Sequence, residues 1–189
     1  NTDFIKLCLN KKLVLEITLQ PLTRFNLDAA IIFSDILMIP YGLNQQVEFK
    51  KGIGPILGNI DIDKILSTKP EEFVKKINPV YDAINDVSKK TKSQSVIGFV
   101  GAPWTLLVYM INKQSPKENF TLSNVLKEKS STEKILKKIE ETVCLHAAKQ
   151  IEAGANVIQV FDSWAGLLPQ NELEKYCFTP NQKIVEHIK

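Results

Sequence analysis

Three polar residues stand just past apolar runs, where a chain that alternates strands and helices gathers its ligand-binding groups. Asp35 ends the run Ala29-Ala30-Ile31-Ile32-Phe33-Ser34. A carboxylate there has lost much of its water and must find partners. It is either the N-cap of a helix over 36–43 or a functional acid able to anchor N–H donors or a cation. Ser163 follows Asn156-Val157-Ile158-Gln159-Val160-Phe161-Asp162, and Tyr109 lies one or two helical turns beyond Ile97-Gly98-Phe99-Val100. In a barrel these exits open on one face, so Asp35, Tyr109 and Ser163 could converge around one ligand. Phe33, Phe99 and Phe161 occupy matching places at the three exits and would supply apolar walls, so the pocket suits a large, flat, apolar ligand fixed by few polar contacts. Structural uses compete at each position: Asp162 and Ser163 as helix caps, Tyr109 and the phenylalanines as core.

Positioning these residues requires strands over about 28–33, 95–100 and 156–161. The first reads as buried on both faces. Helices are expected over 2–9, over 12–25 with a kink or interruption at Pro21, and in a short stretch to Leu43 interrupted by Pro40. Gln46 to Lys50 alternates briefly, and 51–55 reads as a loop. The spacing of Phe73, Ile77, Val80, Ile84 and Val87 predicts a long helix over 70–90. Further helices are expected over 103–111, 121–129, 131–153 and 171–188. Strands separated by long helices mean parallel βαβ units. A closed (β/α)₈ barrel takes about 250 residues, so 189 residues would hold only part of one, a single incomplete TIM-barrel domain, while an open doubly wound sheet also fits this length. No Gly-x-Gly-x-x-Gly follows a strand, which argues against a dinucleotide fold.

Composition narrows the function classes. The net charge of +3, from 24 basic and 21 acidic residues, is too small and too dispersed to suggest a nucleic-acid partner. No apolar run approaches the ~18 residues of a membrane span, and no signal peptide opens the chain. Cys8, Cys144 and Cys177 are odd in number and far apart, a reducing-compartment pattern without zinc spacing, so a cytoplasmic location is expected. Cys144 and His146 face different sides of one helix and make no metal pair. His187 reads as a helix-end residue, Gly52-Ile53-Gly54-Pro55 as a turn, and Lys89-Lys90-Thr91-Lys92 as a solvated helix terminus. The chain begins at Asn1, and its last helix runs to Lys189 without a stop signal. Both ends read as cut from something longer.

Three blocks carry a family resemblance. They are Glu16-Ile17-Thr18-Leu19-Gln20-Pro21-Leu22-Thr23-Arg24-Phe25 leading into Leu27 through Leu37, Ile97 through Met110, and Ala153 through Gly166. In order and spacing they resemble the uroporphyrinogen decarboxylase family. The resemblance implies a (β/α)₈ barrel that converts the four acetate side chains of uroporphyrinogen III to methyls, giving coproporphyrinogen III for haem or chlorophyll. It implies no metal and no organic cofactor. The family's aspartate matches Asp35, which would bind the pyrrole N–H groups and stabilise a protonated pyrrole. Tyr109 and Ser163 match groups that hydrogen-bond substrate carboxylates, and Phe99 and Phe161 match the apolar walls. A homodimer is implied for the full-length protein.

Departures accompany the match. The family's Met-Arg-Gln-Ala-Gly-Arg motif would lie upstream of Asn1, and its Gly-His-Gly histidine beyond Lys189. Ile111-Asn112-Lys113-Gln114-Ser115 stands where a Glu-Gly-Gly stretch is usual, and Thr23 replaces a basic residue. A substrate with eight carboxylates calls for several arginines, yet Arg24 is the only one. The chain is therefore expected to be inactive alone. Two rivals are a corrinoid-dependent methyltransferase of the same superfamily and a non-catalytic tetrapyrrole-binding remnant.

Overall fold

A computed structural model describes residues 3–91, 93–116 and 129–189. The N-terminal half holds α1 (Phe4–Cys8), α2 (Lys11–Arg24), β1 (Ala29–Ile31), α3 (Met38–Gly42), β2 (Val47–Lys50), β3 (Gly54–Leu57), α4 (Ile62–Ser67) and α5 (Pro70–Lys90). Beyond it come β4 (Ser95–Gly101), α6 (Pro103–Asn112), α7 (Lys129–Glu152) and β5 (Val157–Phe161). Two 3-10 turns (Ala165–Leu167 and Gln170–Glu172), a π-turn (Glu174–Phe178) and α8 (Thr179–Ile188) complete it. The helix expected over 121–129 falls, except for its last residue, outside the described residues.

Strands β1, β4 and β5 form one parallel sheet in that order, pairing Ala29 with Ser95 and Ile97 with Val157. Helices separate them in sequence, so the three strands and their helices form part of a (β/α)₈ barrel. All three strands point the same way, and their exits lie side by side at one end of the sheet.

The core sits between the sheet and the helices. Phe73, Ile77, Val80, Ile84 and Val87 of α5 are all buried. So are Val96 and Val100 on the helix-facing side of β4, and Val143 and Ala147 of α7. The opposite sheet face is open. Ile31 is 62% exposed, Val157 48% and Phe161 42%. This corrects the expectation that the first strand is buried on both faces. β1 is also shorter than expected, because Ile32 makes its last backbone bond, to Ile97 O at 3.0 Å.

Several local expectations change for physical reasons. α2 continues through Pro21, which lies in its last turns and forfeits a single backbone bond. α3 likewise contains Pro40 at its third position, where the N–H has no intrahelical partner in any case. The segment read as an alternating stretch plus loop is an antiparallel hairpin, with Val47 opposite Leu57 and Lys50 opposite Gly54. Gly52 (φ 78°) and Gly54 (φ 93°) supply its left-handed turn. α4, not anticipated, is capped by Asp61, which accepts from Lys64 N at 3.0 Å. The single helix expected over 171–188 is broken. Thr179 N donates to Glu174 O, a wider turn than the α-helix allows, directly before Pro180.

Candidate active site

Asp35 leaves the sheet just beyond β1. Its Oδ1 accepts from Leu37 N at 2.8 Å, an Asx-turn that ushers the chain into α3. The N-cap of α3 is Leu37, without a side-chain cap bond. The carboxylate therefore shapes the turn before the helix rather than capping it, and its second oxygen, Oδ2, has no hydrogen-bond partner among the described residues. No cation forms an ion pair with Asp35 among them either. Burial lifts its carboxyl from 3.8 to about 6, an effect the Leu37 N–H only partly offsets. Cys8 of α1 lies close enough that the Asp35 charge adds to burial in pushing its thiol up to about 12.

The other two exits meet through aromatic contacts. The rings of Phe99 and Phe161 stand edge to face with centroids 5.6 Å apart. Tyr109 of α6 is half-buried and meets Trp164 edge to face at 5.8 Å, which brings it beside Ser163, itself exposed. Phe33 and Phe99, with Ser34, Thr18, Ile31 and Leu22, line a cleft of about 340 Å³ along the outer edge of β1. Asp35, Tyr109 and Ser163 do not line that cleft. Phe99 belongs both to this cleft and to the contact with Phe161, and Asp35 follows β1 at the same end of the sheet.

Sequence reasoning missed the hub at this end. Asp162 caps nothing: the following 3-10 turn starts from Trp164 with no side-chain cap bond. Asp162 instead accepts from Thr105 Oγ1 at 2.8 Å and Asn181 Nδ2 at 3.2 Å. Thr105 Oγ1 in turn accepts from Trp164 N at 3.1 Å, and Trp104 Nε1 donates to Trp164 O at 3.0 Å. Asp162 and Trp164, the neighbours of Ser163 just past β5, are therefore held by residues of α6 and α8. Burial first, then the Asp162 carboxylate, pushes the Cys177 thiol up to about 12. Thr105 lies inside a recognisable block, but its partner is 57 positions away, so no local spacing signals the pair.

Other candidates take structural places. His146 Nδ1 and Tyr81 OH are 2.9 Å apart, both buried between α7 and α5. Among the described residues no grouping of His, Cys, Asp and Glu could hold a metal ion. No helix among them is long and apolar enough to cross a membrane.

A solved methyltransferase from Methanosarcina mazei superposes with a TM-score of 0.76, covering 95% of this chain and 54% of that one at 16% identity. That likeness concerns the fold alone. Uroporphyrinogen decarboxylases from Rickettsia bellii and Mesorhizobium japonicum are 39% and 36% identical over 99% of this chain. The chain spans a little over half of their length, 56% and 55%. The family model described as Uroporphyrinogen decarboxylase (URO-D) matches residues 1–189. By that match the chain belongs to the uroporphyrinogen decarboxylase family.

Proposed function

We propose that this chain supplies the Asp35 side of a uroporphyrinogen III decarboxylase site, within a single (β/α)₈ domain. The supporting observation is the Asp35 carboxylate: half-buried, raised to about 6 by desolvation, unpaired by any cation among the described residues, and with no hydrogen bond to Oδ2 among them. Such a group is a costly feature unless a ligand completes it. Pyrrole N–H groups at the centre of a tetrapyrrole are donors of the right kind. They would satisfy the free oxygen without bringing a charge of their own.

The chemistry follows from that placement. Each step exchanges an acetate CO₂ for a proton, and the electron pair of the breaking C–C bond needs a sink. Protonation of a pyrrole carbon creates that sink as a ring cation. A fixed anion beneath the ring would stabilise the cation as it forms. Phe99 and Phe161 would cover the ring faces, while Tyr109 and Ser163 would donate to substrate carboxylates. Asp35, itself an anion, would repel the substrate carboxylates and so act on the ring, while Arg24, the only arginine, closes α2 outside all three exits.

The test is an anaerobic titration of the 189-residue chain with uroporphyrinogen III, followed by Trp104 and Trp164 fluorescence. The expected result is saturable binding that Asp35→Ala weakens at least tenfold. Binding of equal strength in Asp35→Ala, or no binding by the unsubstituted chain, overturns the reading.

A further inference from the structure

β1 and β4 begin as a regular parallel pair and then separate, and the separation has a specific agent. In the register Ala29 to Ser95 and Ile31 to Ile97, the next partners would be Phe33 and Phe99. Phe99 N would then donate to Ile32 O, and Phe99 O would accept from Ser34 N, as Ile97 O accepts from Ile32 N one step earlier. Neither bond is made. Gln150, reaching over from α7, takes both places. Its Oε1 accepts from Phe99 N at 3.0 Å and its Nε2 donates to Phe99 O at 2.9 Å.

Three further observations show that this arrangement is built in. Gln150 is only 1% exposed, and its amide is held by the Phe99 backbone alone, 51 positions away. A side chain on Gly98 would collide with Gln150 Oε1, so the glycine leaves room for the amide. On the other edge of β1, Phe33 N donates to Thr18 Oγ1 of α2 at 3.0 Å, and Thr18 is itself buried. Phe33 is thus tied to α2 on the edge of β1 opposite the Gln150 amide, the edge its N–H would also face in a continued ladder.

We infer that Gln150 is a positioning residue for the Asp35 site: its amide stands in for the next two rungs of the ladder, stops β1 at Ile32, and holds Phe33-Ser34-Asp35 out of the sheet. The consequence reaches the ligand. Were the ladder to continue, Phe33 would pair with Phe99 and Asp35 would fall opposite Gly101 as extended backbone, in place of the Asx-turn to Leu37 that it now makes. The inference rests on the tetrapyrrole reading for its ligand, but its structural part stands on the backbone alone.

Gln150→Leu removes both bonds, and Gly98→Ala displaces the amide from the other side. Gly98→Ala combined with Gln150→Ala relieves the collision without restoring the bonds. Ile139→Val, buried in the same helix, is the control for loss of stability. Each 189-residue chain is followed by amide exchange at Phe99 and Leu37 and by uroporphyrinogen III affinity, at a temperature where all are folded. The expected result is exchange at least tenfold faster at both amides in Gln150→Leu, with affinity down about tenfold, and neither change in Ile139→Val. The double variant should regain thermal stability over Gly98→Ala while its affinity stays low. Faster exchange at Phe99 with Leu37 unchanged and affinity within twofold of the parent overturns the inference. So does affinity that recovers with stability in the double variant. If Gln150→Leu fails to fold, the Gly98→Ala pair carries the same comparison. If the parent chain binds nothing, the tetrapyrrole reading fails, and the Leu37 exchange alone decides whether Gln150 positions Asp35.

Discussion

Replacing Asp35 by Asn should make this chain more stable at neutral pH while removing its ligand. Asn retains an Oδ1 acceptor for Leu37 N but cannot ionise. In the folded chain burial lifts the Asp35 carboxyl from 3.8 to about 6. The folded state thus holds this proton more tightly than the unfolded state does. Its stabilising contribution is full below about pH 3.8 and is lost as pH rises through about 6. At about 1.4 kcal/mol per tenfold change in proton affinity, the whole window is worth about 3 kcal/mol. Urea unfolding at about pH 4.5 and 7.5 samples part of it, so the advantage of Asp35→Asn over the parent should grow by about 2 kcal/mol between those conditions. Other titrating groups affect both proteins alike and cancel in the difference. A difference constant with pH to within about 0.5 kcal/mol would show that the carboxylate is not strained by burial. It would also remove the physical reason to regard the site as waiting for a donor. Uroporphyrinogen III affinity should move the other way, falling in the more stable variant.

Tyr81→Phe leaves the buried His146 ring nitrogen without its 2.9 Å partner and should cost about 1–3 kcal/mol in urea unfolding, with uroporphyrinogen III affinity unchanged. Burial holds His146 down to about 3, so its ring resonances should not titrate between about pH 5 and 8. Stability that depends on the neutral ring is lost as pH falls below about 6.5. Cys8 and Cys177, both buried and pushed up to about 12, should resist iodoacetamide at about pH 8. Mass spectrometry showing them alkylated as fast as in the urea-unfolded chain would contradict their burial. Thr105→Val cuts the link between Asp162 and Trp164 N; it should cost about 1–3 kcal/mol and shift Trp164 emission, whereas an unshifted spectrum would mean the loop is held elsewhere.

What could be read in advance follows the range of the forces involved. The helix over 70–90 was legible because its five apolar positions recur within a few turns, and all five are buried. The strand exits were legible for a similar reason, each an apolar run ending in a polar group. The hairpin at 47–57 was not, because Gly52-Ile53-Gly54 signals a turn without saying that its flanks pair. Pro21 and Pro40 misled in the other direction. Proline breaks a helix interior, but each stands near a helix end where little bonding is lost.

The residues by themselves determined the three parallel strands, the long helices between them and the family blocks that contain Asp35, Tyr109 and Ser163. These properties live in short windows of sequence, where period and residue type act directly. Tertiary structure alone decided what surrounds those residues. It left one face of β1 open, tied Asp162, the neighbour of Ser163, to Thr105 and Asn181, and placed the Gln150 amide against the Phe99 backbone where β1 stops pairing. Such arrangements join positions tens of residues apart. A buried amide or carboxylate must find its partner wherever packing brings one, so only the folded chain reveals which partner it found.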